Sequence, residues 1–166
     1  MGNHIYIAMP VMALLAILQS SVLSRFPILG VVPQLLFIVA LAWGIVRGLE
    51  EGVIWAFIAG ICVDLFSITP LGLSSVAFMA GVGAPLLLQQ ALPPRRLLVA
   101  MVMAALGTLI YLIVYIVGLR LFGFSTPLNG LAGLLPLIGL HAVLIVPVYV
   151  LIDSFLRTFR PRRVEF

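Results

Sequence analysis

Few residues in this chain have the type and placement to do chemistry. Asp64 is a lone acid near the end of an apolar run, Val53 to Ser67. An ionisable group in such a run costs about 3 kcal/mol to place in a bilayer and needs a partner. Three partners are available: Arg25, Arg120, or the backbone N–H groups of the turn from Ser67 to Gly72. The turn is favoured, since a carboxylate accepting local N–H bonds is a common way to hold one. In the simplest reading Asp64 caps this turn; in the sharper one it serves a partner or ligand. Ser74 and His141 have the types of a nucleophile and its base, which must reach hydrogen-bond distance to work. In the plainer reading Ser74 caps a helix and His141 is a packed or interhelical-bonded histidine. Asp64, Ser67, Ser74, Ser75, Asn129 and His141 together are a thin polar set for a small-molecule pocket. Arg47 and Glu51 lie four apart, as do Asp153 and Arg157, which suits ion pairs. The first pair is expected in a solvated loop beside Glu50, with a contact for a cytoplasmic partner as the sharper alternative. No paired acids, phosphate loop or metal-ligand spacing appears. No catalytic residue, cofactor or metal is therefore expected, and the single Cys62 can form no internal disulfide.

These side chains must be positioned by helices in a bilayer. Of 166 residues, 64% are hydrophobic and only 8% charged, against roughly 45–50% and 25% in an ordinary soluble domain. Six apolar segments are read as spans: 5–23, 31–46, 53–67, 73–92, 97–119 and 131–156. At about 20 residues per span they leave roughly 46 residues for loops and tails, too few for a soluble domain. The expected fold is all-α, a single six-helix transmembrane domain covering 1–166. No basic segment precedes the first run, so a cleaved signal peptide is not expected.

All nine basic residues are arginines, and the net charge is +4. They sit at the ends of apolar runs and form no basic face, so nucleic acid is not an expected partner. With the N-terminus inside, Arg47, Arg95, Arg96, Arg157, Arg160, Arg162 and Arg163 are cytoplasmic, against Arg25 and Arg120 outside. That bias predicts N-in, C-in. The Arg-rich tail reads as an anionic-lipid anchor. Trp43 and Trp55, near inner helix ends, suit an interfacial aromatic belt.

The third segment is the informative one. It is about 22 Å long at the helical rise, short of the roughly 30 Å hydrocarbon core. Gly52, Ala56, Gly60 and Asp64 recur every four residues and share one helix face. Three small residues in a row allow close backbone approach. Gly81, Gly83 and Pro85 make the fourth helix the one expected to kink.

The stretch Arg47-Gly48, Glu51-Gly52, Ala59-Gly60, Asp64-Leu65 and Pro70-Leu71-Gly72, with Pro33-Gln34-Leu35-Leu36 before it, resembles the rod shape-determining protein MreD family. The match is sharp over about Pro33 to Gly83. It implies a non-enzymatic subunit of the bacterial cell-elongation machinery in the inner membrane. Family membership implies binding to the scaffold MreC, and through it a link from MreB filaments to the glycosyltransferase RodA and its partner transpeptidase. The implied fold is similar to the S-components of energy-coupling-factor vitamin transporters, which supplies the rival reading. Candidate partner-binding or structural residues are Gly52, Ala56, Gly60, Asp64, Pro70, Gly72, Arg47 and Glu51. The small face of the third helix and the Asp64–Gly72 turn are expected to form a groove for MreC. The Ser74/His141 pair is similar to the dyad of rhomboid proteases, but that family's close-packing glycines are replaced here by Ser75-Val76 and Ala142-Val143-Leu144.

Overall fold

A computed structural model describes residues 4–28, 30–89, 97–124 and 135–158. The described residues form six α-helices: α1 (His4–Ser21), α2 (Leu35–Arg47), α3 (Leu49–Asp64), α4 (Leu73–Gln89), α5 (Leu97–Leu121) and α6 (Leu135–Thr158). They include no β-strand. A short 3-10 turn, Leu23–Arg25, follows α1.

The second helix begins four residues later than expected. Residues 31–34 are irregular, and Pro33 is buried within them. The residue before a proline is disfavoured in the helical region, which delays the helix to Leu35. The third helix begins four residues earlier than expected and ends at Asp64 rather than Ser67. Gly48 alone joins α2 to α3, at φ +106°, a conformation open chiefly to glycine. Glu50 and Glu51 therefore wind into the first turn of α3, where negative charge suits the helix dipole; they are not in a loop. The expected start of the fourth helix at Leu73 is where that helix begins, and the described part of the fifth starts at Leu97. Residues 90–92 of the fourth expected span and 131–134 of the sixth lie outside the described residues, as do Arg95, Arg96, Arg160, Arg162 and Arg163.

The helices differ in length for a reason of position. At about 1.5 Å per residue, α5 (25 residues) and α6 (24 residues) reach about 38 and 36 Å. These two are long and apolar enough to cross a membrane. The others are shorter, and α2, with 13 residues, is about 20 Å long.

That short helix is the centre of the bundle. It touches each of the other five, while α3 packs on α4, α4 on α5, α5 on α6, and α1 on α3. Leu36, Phe37, Ile38, Ala40, Leu41, Ala42, Trp43 and Gly44 of α2 are all buried. Leu35, Val39, Ile45 and Val46 of the same helix are partly exposed, and a helix so largely apolar belongs in a protein interior. Phe37 is the hub of an aromatic cluster: its ring lies 5.3 Å from those of Phe78 and Tyr111 and 5.8 Å from His141.

Glycines set the tightest helix crossings. A Cβ on Gly60 (α3) would lie 2.2 Å from Ser75 Cα (α4), and one on Gly107 (α5) 2.4 Å from the Gly81 carbonyl (α4). Gly52 (α3) similarly meets Gly44 Cα of α2 at 2.7 Å. Small residues of this kind let helix backbones approach closely.

Candidate functional site

The polar groups concentrate at one end of the bundle, where α2 and α4 begin and α1 and α3 finish. A helix start leaves four backbone N–H groups without intrahelical partners. At each start here two of the N–H groups are capped by buried side chains from neighbouring helices.

At α4 the acceptor is Asp64, only 2% exposed. Its carboxylate accepts from Gly72 N at 2.7 Å and from Ser74 N at 3.2 Å. Of the three partners considered for this acid, the structure selects the turn. The last residue of α3 thus caps α4 across the connection, where a negative charge also suits the positive end of the helix dipole. Gly72 holds φ +92°, and the Pro70 carbonyl accepts from Leu73 N at 3.2 Å. Within the turn Ser67 Oγ and Thr69 Oγ1 share a hydrogen bond of 2.8 Å.

The row Gly52, Ala56, Gly60, Asp64 is buried throughout. Gly60 lies against the α4 backbone at Ser74 and Ser75, and Ser75 Oγ donates to the Phe57 carbonyl at 3.2 Å. Gly52 faces Gly44 of α2 and Leu86 of α4. The expected groove along this face is therefore filled by the chain's own α2 and α4, because a surface smooth enough for a partner is equally smooth for the neighbouring helices. The row positions α3; it offers no free surface.

At α2 two helices supply the cap. Gln19 of α1 accepts from Leu35 N at 2.9 Å through Oε1, and its amide donates to Gln34 Oε1. His141 of α6 accepts from Gln34 N at 3.0 Å through Nε2. Its Nδ1 lies 2.9 Å from Thr108 Oγ1 on α5, and that hydroxyl donates to the Ala104 carbonyl at 2.6 Å. One protonation pattern satisfies every contact. Nε2 receives the Gln34 N–H, so the proton sits on Nδ1 and is donated to Thr108. Both ring nitrogens of His141 are engaged, and neither partner is Ser74. The backbone N–H of Ser74 goes to Asp64 instead.

Gln19, Gln34 and Thr108 were not singled out in the sequence. The available signal was their polarity within apolar runs, and for Gln34 its place between Pro33 and the first turn of a helix. Of the residues weighed for a small-molecule pocket, Asp64, Ser75 and His141 serve helix ends and crossings. Asn129 lies outside the described residues. A pocket of about 150 Å³ remains at this end, lined by Ala16, Gln19, Ser20, Leu36, Val63, Phe66 and Ser67.

The opposite end carries the Arg47–Glu51 pair. Arg47 donates to both carboxylate oxygens of Glu51, at 2.8 and 3.1 Å, across the Gly48 turn. Trp43 Nε1 donates to the same carboxylate at 3.0 Å. Trp43 and Trp55 stack with centroids 4.1 Å apart and are 6% and 3% exposed. They belong to the interior and not to an interfacial belt, because α2 is central and turns Trp43 inward onto α3. At the end of α6, Asp153 and Arg157 pair at 2.6 Å.

The comparisons with known proteins bear on the chain as a whole. A family model described as rod shape-determining protein MreD matches residues 2–159. No curated protein and no solved structure matches the chain.

Proposed function

The chain belongs to the MreD family of rod shape-determining proteins, and from that premise we propose that it is a non-enzymatic, multi-pass subunit of the cell-elongation complex. In this reading all six helices cross or enter the bacterial inner membrane, with both termini in the cytoplasm. The α2 and α3 helices are too short to span alone; α1, α5 and α6 pack on α2, and α1 and α4 on α3. Non-helical backbone at membrane depth is tolerated only where protein satisfies it. The Gln19, His141 and Asp64 caps meet that requirement at the starts of α2 and α4.

The observation that carries the reading is the family match across nearly the whole chain. The geometry supports a scaffold role beside it. The buried polar side chains at the α2 and α4 starts hold helix ends, and the Asp64 and His141 groups that a hydrolase or a ligand site would need are engaged in caps. The protein works as a rigid helical platform that binds MreC. Through MreC it helps connect MreB filaments to RodA and its partner transpeptidase. The Arg-rich tail holds the cytoplasmic face to anionic lipid.

Purification of the tagged chain from its native membranes in mild detergent tests this reading. MreC is expected to coelute with it. Coelution instead with the ATPase module of an energy-coupling-factor transporter would replace the reading with that of an S-component.

A further inference from the structure

The connection from α3 to α4 has a surface unsuited to water. Ile68 is 95% exposed, and Leu65, Phe66 and Leu71 are each more than half exposed. The polar side chains are turned away: Ser67 and Thr69 share a hydrogen bond, and Asp64 is buried. From Leu65 to Pro94 the sequence holds no charged residue. Most of the backbone is withdrawn too. The N–H groups of Leu65, Phe66, Ser67, Thr69 and Gly72 are bonded to nearby oxygens, and Pro70 has no N–H. An exposed apolar cluster of this kind marks a contact with a membrane or a protein.

Helix lengths give its level. With 16 and 17 residues, α3 and α4 rise about 24–26 Å. The Arg47–Glu51 pair, partly exposed, marks the other end. With that pair at the inner boundary, the turn reaches the outer boundary of a roughly 30 Å hydrocarbon core and stays within the about 40–45 Å that includes the headgroups. The fifth helix gives the same level independently. Leu73, where α4 begins, packs its side chain against Gly118 of α5, and Arg120 stands about 3 Å farther along that helix. Arg120 is exposed, which suits a side chain holding its charge among headgroups above an apolar stem.

We propose that the α3–α4 turn is a lipid anchor and not a water-exposed loop: Leu65, Phe66, Ile68 and Leu71 insert among the acyl chains of the outer leaflet, at the boundary with the headgroups. This rests on the reading above, in which the bundle lies in the inner membrane with this end outward. Continuity favours lipid over a docked protein. Leu65 extends a side of α3 formed by Ile54, Phe57, Ile58 and Ile61 at helical spacing, and none of these five is buried. The surface that faces lipid along the helix therefore runs unbroken into the turn. The turn also presents no charge by which a protein would recognise it. The N–H groups of Ile68 and Leu71, which have no bonded partner among the described residues, meet lipid ester carbonyls at that depth.

The test uses the full chain with Cys62→Ala and one nitroxide label at a time, on Ile68→Cys, Leu71→Cys, Leu109→Cys or Glu50→Cys. All four positions are exposed, so the labels leave the packing intact, and the two turn positions give independent readings. The chain is reconstituted in vesicles of phosphatidylethanolamine and phosphatidylglycerol and then, by fusion, in native membrane vesicles. Collisions with dissolved oxygen, which concentrates in lipid, are compared with those of a water-soluble nickel complex. Labels at Ile68 and Leu71 are expected to favour oxygen, at a depth within about 6 Å of the hydrocarbon boundary. Leu109, midway along α5, is expected to read deepest, and Glu50 to favour nickel. Nickel access at Ile68 and Leu71 equal to that at Glu50 would place the turn in water and overturn the proposal. Protection from both reagents in either kind of vesicle would assign the turn to a protein contact and overturn it as well. Nickel access at Leu109 would show that the bundle does not lie in a bilayer, and the functional reading would fail together with the proposal.

Discussion

Gly60→Ala separates two opposed expectations by sign. On helix propensity alone, alanine in a helix interior is favoured over glycine by about 1 kcal/mol. The structure predicts the reverse. The added methyl would stand 2.2 Å from Ser75 Cα, 2.4 Å from Ser75 N and 2.7 Å from Ser74 C. All three are backbone atoms of α4 and cannot rotate aside. Relief requires α3 and α4 to part by roughly 1 Å, and interiors packed to crystal-like density resist that. Overpacking of this kind costs about 1–3 kcal/mol. The same separation stretches the Ser75–Phe57 bond and the two N–H bonds to Asp64, each worth about 0.5–1.5 kcal/mol. Net of the propensity gain, destabilisation of about 2–4 kcal/mol is expected, or a fall in Tm of roughly 4–16 °C at this chain size. Thermal unfolding of the purified protein in mild detergent, followed by the fluorescence of the stacked Trp43 and Trp55, measures it. Gly139→Ala on α6 is the control, since nothing lies within 4 Å of its added methyl, and its Tm is expected to hold or rise slightly. A Gly60→Ala protein as stable as the original would refute the close α3–α4 approach.

Other substitutions test the remaining contacts. Asp64→Asn keeps one acceptor for the α4 start and is expected to cost about 1 kcal/mol. Asp64→Ala leaves two buried N–H groups unmet and is expected to cost about 2–4 kcal/mol, so equal melting temperatures for the pair would contradict the cap. For His141, nitrogen NMR of labelled protein is expected to show the neutral ring with its proton on Nδ1; a proton on Nε2 would contradict the bond from Gln34. His141→Phe preserves the ring beside Phe37 but is expected to lower stability by about 2–3 kcal/mol through the loss of both polar partners. Arg47→Ala removes a half-exposed ion pair and is expected to cost less than about 1 kcal/mol. Glu51→Ala is expected to cost more, because Trp43 Nε1 also loses its acceptor, and denaturation midpoints of the two variants side by side decide the order.

Local features of the fold were legible in the sequence, and long-range ones were not. Pro70-Leu71-Gly72 marks the start of α4 because a proline and a glycine at positive φ are local properties. The four-residue spacing of Gly52, Ala56, Gly60 and Asp64 correctly marks one close-packed face, but spacing does not say which helix meets it. The one-residue turn at Gly48 was missed because Glu50 and Glu51 look like loop residues when only hydropathy is read. The centrality of α2 depends on contacts with five helices, and the bond from Gln34 to His141 spans 107 residues. No period in the chain encodes such a pairing. The tryptophans show the same limit: their position near helix ends suits a lipid interface, and only the placement of α2 turns them inward.

In the proposed function this helical bundle acts by binding another membrane protein. The most direct measurement is capture of the tagged chain from its own membranes in mild detergent, with quantification of every protein that coelutes. MreC is expected in roughly equimolar amount, with RodA and its transpeptidase recovered only when MreC is present. A chain that elutes without MreC, from membranes that contain it in abundance, would contradict the account.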